Sequence, residues 1–158
     1  VLGLYAPRRG TVRIQGVDPR SLTGPQRRAL YGYVEQTFHR VPGTVKDQIT
    51  LYDDSFTMEE VREAATIAGL DATIEQLEKG YDTLCTSEIF SQGQWQLLSI
   101  ARAAVAKPKL LLLDEITANL DAQTEEEVLQ ALKRASEGRT VISISHRVNA
   151  ETGRIITF

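Results

Sequence analysis

The chain has 158 residues, 42% hydrophobic and 25% charged, enough for one domain with a real core. A formal net charge of −3 excludes the broad basic surface that nucleic-acid binding requires. The longest aliphatic block, residues 110–113, is far short of the roughly 20 apolar residues that span a bilayer. Cys85 is the only cysteine, so no internal disulfide can form, which suits a reducing compartment. The chain opens at Val1 and its single methionine is Met58, from which we expect a piece of a longer protein.

Residues 10–16 alternate apolar and polar between two glycines, which predicts a short half-buried strand. Residues 31–36 predict a second strand. Residues 57–69 predict a helix. Thr57 and Glu60 form a capping box, Gly69 is a natural stop, and Met58, Val61, Ala65 and Ala68 recur at helical spacing. A further helix is expected over 92–106, with Leu97, Leu98, Ala101 and Val105 on one face. Pro108 follows it, and the unbroken run 110–113 predicts a strand buried on both faces of a parallel sheet. The next helix is expected over 122–137, with acidic residues in its first turn and Lys133 and Arg134 near its end, matching the helix dipole. Residues 140–145 predict another buried strand, and 154–158 one more. Strand, helix and strand in alternation predict an α/β fold with a mostly parallel sheet.

Four places in this order carry chemistry. The strand over 110–113 runs into Asp114 and Glu115, and ligands of open α/β sheets sit beyond the carboxyl ends of strands. Asp114 is placed to hold a magnesium ion through water, and Glu115 to polarise an attacking water. Ser91, Gln92, Gly93 and Gln94 open a helix whose bare amides would attract phosphate, although taken alone they read more readily as an ordinary cap. His146, after the strand ending at Ser145, could donate to a phosphate oxygen. Gln36, at the end of an earlier strand, could reach a metal or a water.

Order and spacing do what no single motif does. Gln36, the run from Phe90 through Ser91 to Gln94, the pair Asp114 and Glu115, then Asp121, then His146, together resemble the ATP-binding cassette (ABC) ATPase family. Gln36 matches its Q-loop, Phe90 to Gln94 its signature loop, residues 110–115 its Walker B strand, Asp121 its D-loop and His146 its switch histidine. Ile100, Ala101, Arg102 and Ala103 match the helix after the signature. The stretch from Gly43 to Ile49 is similar to the Gly-Thr-Ile-x-x-Asn-Ile of exporter-type cassettes, and that from Gly80 to Thr83 to their Gly-Tyr-Asp-Thr. Three departures stand out: Gln92 replaces a glycine, Cys85-Thr-Ser-Glu88 replaces the usual Val-Gly-Glu, and the P-loop pattern G-x-x-x-x-G-K-[ST] does not occur in the sequence.

The resemblance implies a P-loop NTPase-like, mostly parallel sheet with an inserted α-helical subdomain, without its N-terminal P-loop segment. Residues 1–36 and 91–158 would form the RecA-like core and residues 37–90 the helical subdomain. It further implies ATP and Mg²⁺, with Glu115 and His146 catalytic. Gln36, Ser91, Gln92, Gly93, Gln94 and Asp121 would contact ATP, and Asp114 and Gln36 the metal. Its partners would be a second cassette and a transmembrane domain at the cytoplasmic face of the membrane, powering export; no nucleic acid is implied. Residues 37–90 are too short for the long coiled coil of chromosome-structure and DNA-repair relatives. The alternative is a non-catalytic remnant that lends its signature loop to a partner cassette.

Overall fold

Three strands form one parallel sheet. The computed structural model describes residues 3, 5–114, 116 and 120–144. In chain order the elements are α1 (Gly24–Leu30), β1 (Tyr31–Val34), α2 (Val45–Thr50), α3 (Met58–Ala68), α4 (Asp71–Glu75), α5 (Gln92–Ala104), β2 (Leu110–Asp114), α6 (Ala122–Ser136) and β3 (Thr140–Ile144). The sheet order is β1-β2-β3, with Tyr31 opposite Leu110 and Leu110 opposite Thr140.

The leucine run of β2 is buried on both sides, as its lack of alternation predicts. Leu111 joins the large core under the helices, while Leu110 and Leu112 pack with Ile14 and Tyr31 on the opposite face. At the next strand the expectation fails. All of β3 is exposed, with Ile144 at 61%, although it pairs with β2 along its whole length; burial of a strand depends on what covers its faces, which pairing does not supply. The strand expected over 10–16 is also absent. Gln15 and Gly16 both take positive φ (49° and 81°), so the chain reverses there, and Ile14 and Val17 exchange two backbone hydrogen bonds across the turn. The strand expected over 154–158 lies outside the described residues.

Helix boundaries follow their caps closely. Thr57 and Glu60 close a reciprocal capping box at the start of α3, and Gly69 ends it at φ 79°. Arg134 of α6 donates to the carbonyl of Ile67, satisfying one acceptor of the last α3 turn. Met58 at the first position of α3 is exposed, whereas Val61, Ala64, Ala65 and Ala68 are buried.

At the centre lies α5. Gly93, Gln96 to Ala101, Ala103 and Ala104 are buried, leaving almost no solvent-facing stripe. It packs against α2, α3, α6 and β1. Residues from 37–90 and from α5 and α6 therefore share one hydrophobic cluster. The approach of β1 to α5 is so tight that a Cβ on Gly32 would lie 2.3 Å from the carbonyl oxygen of Ala103. Gly32→Ala must therefore push backbone apart, and overpacking of this kind costs about 3 kcal/mol. Chemical denaturation should show that loss, and an unchanged midpoint would refute the contact.

Acid should unfold the protein through its hydrogen-bonded carboxylates. The Glu60 carboxyl is held below its ordinary range by the Thr57 amide and hydroxyl, Asp53 by Ser55, and Asp18 at about 2 by Arg20. Because folding lowers these values, their stabilisation is fully present above the unfolded carboxyl value of about 4 and is lost as pH falls through the folded values. We expect the thermal midpoint to fall between about pH 4 and pH 2, and to fall less steeply in Glu60→Gln. A Glu60→Gln curve parallel to that of the wild type would remove Glu60 from the account.

Candidate functional site

The carboxyl edge of the sheet gathers the first group of candidate residues. Asp114 closes β2 and is half-buried, and its Oδ2 accepts a hydrogen bond from the Tyr33 hydroxyl at 3.1 Å. Burial, and then Asp114 itself, raise the Tyr33 pKa, so Tyr33 remains a donor that orients the carboxylate. The parallel register sets Val34 beside Leu113, so Gln36 lies beyond the same edge as Asp114. Among the described residues no group of three His, Cys, Asp or Glu side chains could hold a metal. Asp114 alone fits a magnesium ion that draws its other ligands from phosphate and water, the usual arrangement for that ion with nucleotides. Glu115 and His146 both lie outside the described residues.

A second group caps α5. The Ser91 Oγ accepts the Gln94 amide at 3.2 Å, and the Gln94 Oε1 accepts the Ser91 amide at 2.9 Å. Ser91 is exposed, and its hydroxyl proton can still be donated outward. Gln92 is exposed and lines a cleft of about 370 Å³ together with Gln36, Phe38, Trp95, Ile116 and Leu120. The structure thus brings Gln36 and Gln92 to one cavity. Ser91, Gln94, Asp114 and Asp121 are not among its lining residues.

Gly93 and Asp121 take structural positions that the sequence did not suggest. A glycine in the first turn of α5 reads as a means of baring amides. Instead Gly93 is buried, and a Cβ there would lie 2.1 Å from Cγ2 of Thr124 on α6. Asp121 caps α6, accepting the Gln123 and Thr124 amides at 3.1 Å each and the Thr124 hydroxyl at 2.6 Å. Those bonds, led by the Thr124 hydroxyl, lower the Asp121 pKa. Thr124 therefore fixes one face of Gly93 and the carboxylate of Asp121 at once, locking the start of α5 to the start of α6. Sequence reasoning missed Thr124 and Tyr33. Thr124 stands at the third position after an Asp cap, where a hydroxyl commonly returns to the carboxylate. Tyr33 carried no local signal at all.

A parallel α/β sheet whose central strand ends in a carboxylate is an architecture shared by P-loop-type nucleotide-binding proteins. The family profile described as "ABC transporter" matches residues 1–118, and the chain belongs to that family. It is 43% identical over 147 residues to an uncharacterized ABC transporter ATP-binding protein of Bacillus subtilis, covering 92% of this chain and 24% of the relative. It is 40% identical to ABC transporter B family member 1 of Dictyostelium discoideum, covering 96% of this chain and 17% of the relative. Among solved structures, a bacterial Atm1-family ABC exporter with ATP bound matches with a TM-score of 0.75 and 34% identity, over 93% of this chain and 26% of that one. The chain thus spans about a quarter or less of the length of these proteins.

The Gly93 contact makes a specific prediction. Gly93→Ala should destabilise the fold by about 1–3 kcal/mol through its clash with Thr124. Thr124→Ser deletes Cγ2 but keeps the hydroxyl on Asp121, so the double variant should recover most of that loss. No recovery in denaturation midpoints would mean that Gly93 is required for another reason.

Proposed function

We propose that this chain belongs to the ATP-hydrolysing cassette of an exporter, acting at the cytoplasmic face of a membrane with a transmembrane domain and a second cassette. The observation that supports it most is Asp114 at the end of the central parallel strand, oriented by Tyr33, in a chain of the ABC transporter family. In this reading Asp114 helps hold Mg²⁺, whose charge, when bound, offsets that of the phosphates. Glu115 accepts the proton of the attacking water or orients it, while His146 and Gln36 hold the γ-phosphate and the water in line. Ser91, with its hydroxyl proton free to point outward, and the turn through Gln92, Gly93 and Gln94 close on the nucleotide held by the facing cassette. Asp121, already committed to capping α6, would act by fixing the loop before it. Phosphoryl transfer of this kind depends on positioning and charge stabilisation more than on covalent chemistry. The isolated 158-residue chain, in which no G-x-x-x-x-G-K-[ST] pattern occurs, is expected to turn over no ATP above background.

The test is made in the intact transporter. Glu115→Gln keeps shape and hydrogen bonding but cannot accept a proton, so turnover should fall by about 10²- to 10⁴-fold with ATP binding retained. Asp114→Asn should also weaken Mg-dependent nucleotide affinity. Single-turnover hydrolysis and nucleotide-binding titrations with and without Mg²⁺ separate the two. Near-normal turnover in Glu115→Gln would overturn its assignment as the base. An inactive wild-type protein that still supports hydrolysis by a partner cassette would favour the remnant reading instead.

A further inference from the structure

The segment bearing Gln36 has no regular secondary structure, and two of its main-chain carbonyls are met by side chains of α5. Gln96, buried on α5, donates its Nε2 to the carbonyl of Glu35 at 2.9 Å. Arg102 donates Nη1 to the carbonyl of His39 at 2.9 Å and Nε to that of Gln48 at 2.6 Å. Trp95 and Arg102 stand seven residues apart, on one face of α5 and about 10 Å apart along its axis. The Phe38 ring stacks on Trp95 with centroids 5.3 Å apart, and the Arg102 guanidinium carbon lies 4.1 Å from the Phe38 centroid. Phe38 therefore sits between them. Trp95 also meets Phe90 edge-on at 5.1 Å, and Phe90 immediately precedes Ser91. An unbroken line of contacts runs from Phe38, two residues after Gln36, through Trp95 and Phe90 to the cap of α5.

We propose that Phe38 is a positioning residue: held between Trp95 and Arg102, it makes the Gln36 segment and the Ser91 end of α5 move as one unit. This rests on the ATPase reading above. There Gln36 serves the nucleotide bound by its own cassette and Ser91 the nucleotide of the facing one, so the unit couples two composite sites. Nothing in the backbone enforces this link, because more than fifty residues separate Phe38 from Ser91 along the chain. Burial lowers the Arg102 pKa to about 10, and the charge of Glu35 works against that shift, so Arg102 remains a cation at neutral pH and the clasp persists. Gln96 anchors the near end of the segment independently, so loss of Phe38 should loosen the coupling without releasing the segment.

The experiment uses the intact transporter in lipid vesicles, with steady-state ATPase rates measured across ATP concentration. Phe38→Ala should lower kcat by about 10-fold, since small misplacements of positioned groups are costly. The Hill coefficient for ATP should drop towards 1, while KM changes little. Phe38→Tyr, which keeps the ring, should restore both. Phe38→Leu, which keeps bulk without a π face, serves if Phe38→Ala does not fold, and should also lose cooperativity. Arg102→Ala should mimic Phe38→Ala, and the double variant should lose little more than either alone. A reduced melting temperature with unchanged kcat and Hill coefficient would show a packing role only and overturn the proposal, as would strictly additive losses. Loss of turnover in Glu115→Gln is independent of these outcomes, so the coupling can fail while the ATPase reading stands.

Discussion

Burial of α5 on nearly every side is the constraint on which the rest depends. A helix with no solvent stripe must be met by partners all round, and here β1, α2, α3 and α6 supply them. The spacing this demands explains small residues that otherwise look arbitrary. Gly32 lets the strand approach the Ala103 carbonyl, and Gly93 lets Thr124 of α6 close over the helix start. Interiors are packed like crystals, so a helix fixed on several sides carries its ends with it. The cap at Ser91 is therefore presented from a rigid body.

Buried glutamines on α5 and α2 reinforce the same arrangement. Gln96 is buried and spends its amide on the carbonyl of Glu35. Gln48 is buried and bridges Val41 through both ends of its amide, donating to the carbonyl at 2.7 Å and accepting the N–H at 2.9 Å. A buried polar side chain without a partner is costly, so these pairings select one path for the segment 35–48. The segment has no helix or strand of its own until α2 begins, yet its course is specified by Gln48 of α2 and by Gln96 and Arg102 of α5.

The sheet presents a contrasting case. β2 is closed in on both faces, but β3 leaves Val141, Ile142 and Ile144 exposed among the described residues. The sequences of the two strands do not distinguish them, since both are short apolar runs. Edge position alone does not separate them, because β1 also has a strand on one side only and is largely buried; what differs is what packs over the faces.

The sequence by itself determined the elements whose cause is local. The α3 capping box, the Ser91 cap of α5, the stop at Gly69 and the unbroken leucines of β2 set boundaries within a residue or two, because caps and side-chain periodicity act over a single turn or strand. Order and spacing also carried the family and the residues at the sheet edge. Only the tertiary structure decided what depends on partners far apart in the chain. It gave Asp114 to Tyr33, pressed Gly93 against Thr124 and clasped Phe38 between Trp95 and Arg102. Each of these is a contact between segments whose separation in sequence carries no information about their distance in space. A chain read one window at a time cannot contain them, because packing is decided by all of the buried surfaces together.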